Sequence, residues 1–160
     1  MNRNLFLLVV FAFLLSNINA QPQIELQKLL AYDAVEGDKF GCSVSISGDY
    51  AIVGAYYDDD NGEESGSAYI YYNNAGTWEG QSKLTASDGN VDDQFGFSVS
   101  ISDNYAIVGA PYDDDNGSKS GSVYVFYNNS GNWEQVTKLT ASDGAEEDHF
   151  GRYICISGDY

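Results

Sequence analysis

Phe95-Gly96-Phe97-Ser98-Val99-Ser100-Ile101-Ser102-Asp103-Asn104-Tyr105-Ala106-Ile107-Val108-Gly109-Ala110 joins an alternating run, a two-residue turn and an apolar run. Val99 and Ile101 alternate with Ser98, Ser100 and Ser102, the period of a strand with one buried face. Asp103-Asn104 supplies residue types that tolerate positive φ in a tight hairpin. Tyr105 to Ala110 is apolar on both parities, which predicts a strand covered on both faces. The same stretch stands 55 residues earlier, from Phe40 to Ala55, and starts again 55 residues later at Phe150. A period of that length belongs to propellers and other repeat arrays.

Working outward, each copy continues into an Asp-rich loop and a third strand, Ser67 to Tyr72 or Ser122 to Tyr127. Asn73-Asn74-Ala75-Gly76 and Asn128-Asn129-Ser130-Gly131 turn the chain into a fourth strand, 78–86 or 133–141, whose parities separate into Trp133 with Leu139 and Glu134 with Lys138. Nothing in the unit has helical periodicity. The chain is therefore expected to be all-β, a partial β-propeller of four-stranded antiparallel blades. Blade one is predicted over 40–86, blade two over 95–141 and the start of blade three over 150–160. First strands are expected at 40–47, 95–102 and 150–157, with Phe40, Phe95 and Phe150 as equivalent buried anchors. Residues 23–31 match the fourth-strand register with no first three strands before them, so they read as an orphan outer strand.

Residues 1–20 read as a signal peptide: Arg3 precedes the apolar run Leu5 to Leu15, and Ile18-Asn19-Ala20 suits cleavage before Gln21. The remaining chain is expected to be secreted or displayed at the cell surface. A net charge of −17 argues against nucleic acid and against insertion among anionic lipids, because both rely on Lys and Arg meeting phosphate. The two cysteines do not read as a disulfide: Cys42 and Cys155 occupy different positions of the same strand in non-adjacent copies, with opposite parity.

Phe40-Gly41 with Gly54-Ala55-Tyr56, and Phe95-Gly96 with Gly109-Ala110-Pro111, resemble the FG-GAP repeat, followed by the expected strand Gly121 to Phe126. The resemblance covers essentially all of 28–160. It implies a propeller like that of integrin α subunits, most often seven-bladed, which at this repeat length takes about 385 residues. It also implies a non-catalytic binding or adhesion module with a protein or glycan ligand. The rival readings are an accessory propeller of a secreted hydrolase and a structural surface-layer component.

Alternate connections fall at opposite ends of a blade, so the fourth-to-first and second-to-third connections share one end, and both are acidic. Functional residues favour loops on a rigid scaffold, which makes Asp38, Asp58, Asp59, Asp60, Asp92, Asp93, Asp113, Asp114, Asp115 and Asp148 the candidate ligand face. Calcium is a candidate cofactor. With Gly62 or Gly117 at the sixth position of a Ca²⁺ loop, however, the first ligand position holds Tyr57 or Tyr112. The resemblance places a metal loop between first and second strands, where this chain has only Gly48-Asp49 or Asp103-Asn104. A looser oxygen cage at Asp58, Asp60, Asp113 or Asp115 is the remaining metal candidate. No nucleophile elbow, phosphate loop or Cys/His pattern is present, and the one histidine, His149, reads as a variable loop residue, so no catalytic residue is expected. Asn116-Gly117-Ser118 and Asn128-Asn129-Ser130 are candidate N-glycosylation sequons.

Overall fold

The computed structural model describes residues 27–158. Within them lie eight strands: β1 (Val44–Ser47), β2 (Tyr50–Ala55), β3 (Ser67–Asn74), β4 (Thr77–Leu84), β5 (Ser98–Ser102), β6 (Tyr105–Ala110), β7 (Ser122–Asn129) and β8 (Asn132–Leu139). They form two antiparallel sheets ordered β1-β2-β3-β4 and β5-β6-β7-β8. The register repeats as the sequence does, with Val44 opposite Val53 and Val99 opposite Val108. A bulge breaks each third-to-fourth pairing at the same place, Ile70/Tyr71 and Val125/Phe126. The all-β, blade-like architecture is the one the repeat predicts.

The blades pack face to face, and burial shows which side chains carry that contact. Val99 and Ile101 on β5 are 5% and 4% exposed, because blade one covers them, whereas their counterparts Val44 and Ile46 on β1 are 67% and 65% exposed. Covering each such side chain stabilises the stack by about 1.5–3 kcal/mol. The core between the blades joins Ile52, Ile70 and Leu84 to Phe95, Val108, Tyr124 and Trp133.

The serines that alternate with these residues tie neighbouring blades together. Ser43, Ser45 and Ser47 Oγ accept the backbone N–H groups of Val99, Ile101 and Asp103 at 3.0–3.2 Å. Ser100 and Ser102 accept those of Ile156 and Gly158, both at 3.1 Å. First strands are edge strands, and this ladder satisfies donors that no adjacent strand would meet.

The two glycine motifs meet at the same junction. A Cβ on Gly54 would overlap the Gly96 carbonyl, and one on Gly96, whose φ is 89°, would overlap the carbonyl of Ser67. Gly109 and Gly151 repeat the first of these contacts. The motif thus records how closely the backbones of successive blades approach.

Several expectations need correction. First strands begin at Val44 and Ser98, because the residues from Phe40 and Phe95 onward turn across the blade end: Gly41 N donates to Gly54 O and Cys42 N to Lys39 O. Third and fourth strands run over 67–74 and 77–84, and over 122–129 and 132–139. Residues 150–158 contain no strand, since their hairpin partner is absent from the described residues; 159–160 lie outside them. Of the orphan strand, residues 23–26 lie outside the described residues and 27–31 are not a strand, although Ala31 is buried and Leu29 packs on blade one, in the register of Ala86 and Leu84. The three phenylalanines are not equivalent: Phe95 is 0% exposed, Phe40 half-buried and Phe150 37% exposed. Full burial needs the strands of the residue's own blade and a preceding blade, and Phe95 alone has both here. Residues 1–20, expected to be a signal peptide, lie outside the described residues.

Candidate functional site

The acidic loops do meet at one end. Backbone bonds join each fourth-to-first connector to the preceding second-to-third loop: Asp92, Gln94 and Phe95 donate to the carbonyls of Glu63, Glu64 and Ser65, and Glu147, His149 and Phe150 to those of Ser118, Lys119 and Ser120. What these loops enclose is a lysine. Lys83 Nζ, on β4, lies 2.7 Å from Asp33 Oδ2, 3.0 Å from Asp58 Oδ2 and 2.5 Å from Asp60 Oδ2. Lys138 Nζ, on β8, repeats the arrangement at 2.9 Å from Asp88, 2.8 Å from Asp113 and 2.6 Å from Asp115.

Each cage has a buried centre and an open rim. Asp58 and Asp113 are 3% and 2% exposed. Their Oδ1 atoms accept Ser67 or Ser122 Oγ at 2.9 Å and the backbone N–H of Asp60 or Asp115. The Tyr69 hydroxyl sits 2.8 Å from Asp33 Oδ1 and 2.9 Å from Asp58 Oδ2, sharing one proton between them. Tyr124 does the same for Asp88 and Asp113, at 2.9 Å each. Asp33 and Asp88 arrive from the connector that precedes the blade, so each cage also latches that connector onto the next blade.

Charge follows this geometry. Burial raises the Asp33 carboxyl, but bonds from Lys83 and Tyr69 outweigh it and hold the group below the usual carboxylate range; Asp88 is held down likewise by Lys138 and Tyr124. Burial lowers both lysines, and the surrounding carboxylates raise them well past their ordinary value. Tyr69 and Tyr124 are pushed up chiefly by desolvation. The carboxylates and lysines are thus held charged and the two phenols neutral, each fixed in one protonation state near pH 7, opposite to the tuning of a general acid or base.

The ten carboxylates of the expected ligand face are largely committed to structure. Asp38, Asp93 and Asp148 close connector turns by accepting the N–H groups of Val35, Asn90 and Ala145, each at 2.7 Å. Asp59 and Asp114 close the loops by accepting Glu64 and Lys119 N–H. Asp58, Asp60, Asp113 and Asp115 bind the lysines. Only Asp92 makes no side-chain hydrogen bond among the described residues, and it lines a cleft of about 310 Å³ with Gln94, Tyr112 and Lys119.

The oxygen set at Asp33, Asp58 and Asp60 is compact enough for a cation. An ammonium bonded to all three stands where a metal would sit, so Ca²⁺ does not fit the cage while Lys83 remains in it. The loop spacing points to Asp58 and Asp60 as metal candidates but not to Asp33, Lys83 and Tyr69, and to Asp113 and Asp115 but not to Asp88, Lys138 and Tyr124. The overlooked signal is a lysine at 28, 83 and 138 in a chain with few basic residues.

Asn116 is exposed, with Nδ2 donating to Ala141 O at 3.2 Å. Asn128 is 5% exposed and its Oδ1 accepts Gly131 N–H at 2.7 Å, so the folded turn does not present that sequon. His149 packs on Tyr112 with Nδ1 near Pro111 O. Cys42 and Cys155 are both free. Among the described residues no helix is long and apolar enough to cross a membrane.

No curated protein matches the chain. The family model of the FG-GAP repeat matches residues 24–71, 78–126 and 133–160. Three matches that follow the period of the blades, over most of the sequence, establish that this chain belongs to the FG-GAP repeat family.

Proposed function

We propose that the chain is an exported, non-catalytic binding module of the FG-GAP propeller type, which holds a protein or glycan ligand at the ends of its blades. The observation that carries this reading is the duplication of the lysine cage. The same ionisable groups serve the same structural bonds twice, whereas a reaction centre concentrates differently tuned groups at one place. Such a scaffold suits presentation of loops and turns from rigid sheets. The acidic end offers a ligand less free carboxylate than its composition suggests, chiefly the cleft beside Asp92.

Two measurements test the proposal. Expression with its leader should deliver the chain to the medium with Gln21 at the new N-terminus. The full chain, immobilised and exposed to arrayed matrix proteins and glycans, should bind at least one of them saturably and leave it chemically unchanged. Absence of saturable binding across the array, or release of a hydrolysed product, contradicts the reading.

A further inference from the structure

The end of the blades opposite the acidic loops holds a cleft of about 420 Å³, larger than the one beside Asp92, between the sheet of blade one and the turns of blade two. Its walls carry Tyr50, Tyr72, Gln81, Asn104, Tyr127 and Asn129. In a protein of net charge −17, none of the lining residues is charged. Trp133 anchors the junction beside it: its ring meets Tyr50 edge-on at 5.6 Å, and its Nε1 donates to Gln81 Oε1 at 3.1 Å. Tyr50 also lies against Tyr72, at 5.3 Å between ring centres.

Gln81 and Asn128 aside, the polar side chains of this cleft differ from those of the acidic end in being uncommitted. Among the described residues, the hydroxyls of Tyr50, Tyr72 and Tyr127 and the side-chain amides of Asn104 and Asn129 make no hydrogen bond, while Tyr72 and Tyr127 remain 37% and 36% exposed. Phenols and amides each offer both a donor and an acceptor. Aromatic rings add flat apolar surface with a polar tip, at little cost in side-chain entropy. That combination matches one ligand chemistry, a ring with C–H faces and a rim of neutral hydroxyls. The absence of Lys and Arg disfavours anionic sugars, and the absence of Asp and Glu disfavours basic peptides. The volume lies within the range of small-ligand pockets.

We propose that this turn-end cleft binds a neutral oligosaccharide, with the tyrosines stacking on sugar rings and Asn104, Asn129 and Gln81 bonding their hydroxyls. The inference rests on the reading of the chain as a binding module and assigns that module a site and a ligand class. The buried sequon at Asn128 lies in the cleft wall, so an attached glycan there would block the site.

The test is saturation-transfer NMR on the full chain with maltotriose, cellotriose and tri-N-acetylchitotriose, beside a heparin disaccharide and a lysine-rich peptide. At least one neutral trisaccharide should receive saturation, and Tyr127→Ala should weaken its binding about tenfold. Asn104→Ala, a turn substitution that removes no ring packing, should weaken it too, with the melting temperature unchanged. Asp92→Asn and Asp114→Asn at the other end should leave it unchanged. Binding abolished by the Asp92 or Asp114 variants but retained by Asn104→Ala overturns the site. If no neutral sugar binds, the site falls, whether or not the disaccharide or the peptide does; the binding-module reading stands or falls separately, on the array of matrix proteins and glycans.

Discussion

Asp88 Oδ2 accepts a hydrogen bond from Lys138 Nζ at 2.9 Å across the junction of two blades, and Asp33 with Lys83 repeats that bond at 2.7 Å. The first residue lies on the connector that leaves one sheet, the second on the outer strand of the next. A carboxylate that could be mistaken for ligand chemistry therefore fixes how one repeat follows another.

Removing the ammonium should cost more than removing the rim carboxylate. Lys138→Met leaves Asp113, 2% exposed, without its cation, and should lower stability by about 3 kcal/mol, the lower part of the range for breaking a buried pair. Asp88→Asn removes a side chain that is 47% exposed and should cost about 1 kcal/mol or less. Urea unfolding of both variants checks the order; equal losses would mean that the cage has no buried centre.

Asp93 sets a separate pH dependence. Burial pushes its carboxyl up to about 6. The folded chain therefore holds this proton above the ordinary carboxylate value of about 3.9. Its contribution is fully present below that value and is lost as pH rises through about 6. Stability should fall by about 2 kcal/mol between pH 4 and pH 7 from this group, and Asp93→Asn should abolish the fall. Asp33 and Asp88, held low, act below that window. Chemical unfolding at pH 4, 5, 6 and 7 of wild type and variant decides it; parallel profiles contradict the assignment.

Gly96 and Gly76 separate backbone strain from crowding. Both have positive φ, 89° and 95°, but a Cβ on Gly96 would overlap the Ser67 carbonyl, while nothing lies within 4 Å of one on Gly76. Gly76→Ala should cost about 1–2 kcal/mol for the left-handed backbone alone. Gly96→Ala should cost at least about 3 kcal/mol, because two blades must also move apart. Similar losses in denaturant titrations would show that the blades do not touch there.

The repeat and the sheets are legible in the sequence because they rest on local alternation and a fixed period, whereas the glycine junctions show only once the blades are stacked. Ser43, Ser45 and Ser47 announced a strand by their spacing, but their bonds to the next blade depend on how sheets stack, which spacing does not express. Phe150 was misjudged for a related reason: burial belongs to the neighbours a residue finds, and its counterpart Phe95 finds two sheets. The cage was half legible. Carboxylates crowded in a loop look alike whether a metal or a lysine joins them, and Lys138 sits on the parity of the outer strand that reads as wet. The bulge at Val125/Phe126 reverses that expected parity, setting Lys138 opposite Tyr124 on the face of Trp133, and Leu139 with Glu134 on the other, and Asp113 and Asp88 meet the inward lysine there.

The most direct test of the account is calcium. If Lys83 and Lys138 are the cations of the two cages, the full chain should melt at the same temperature, within about 1 °C, in EDTA and in millimolar Ca²⁺. A saturable rise of several degrees with Ca²⁺, reversed by EDTA, would show that a metal displaces the lysines, and would contradict the claim that the acidic face is held together from within.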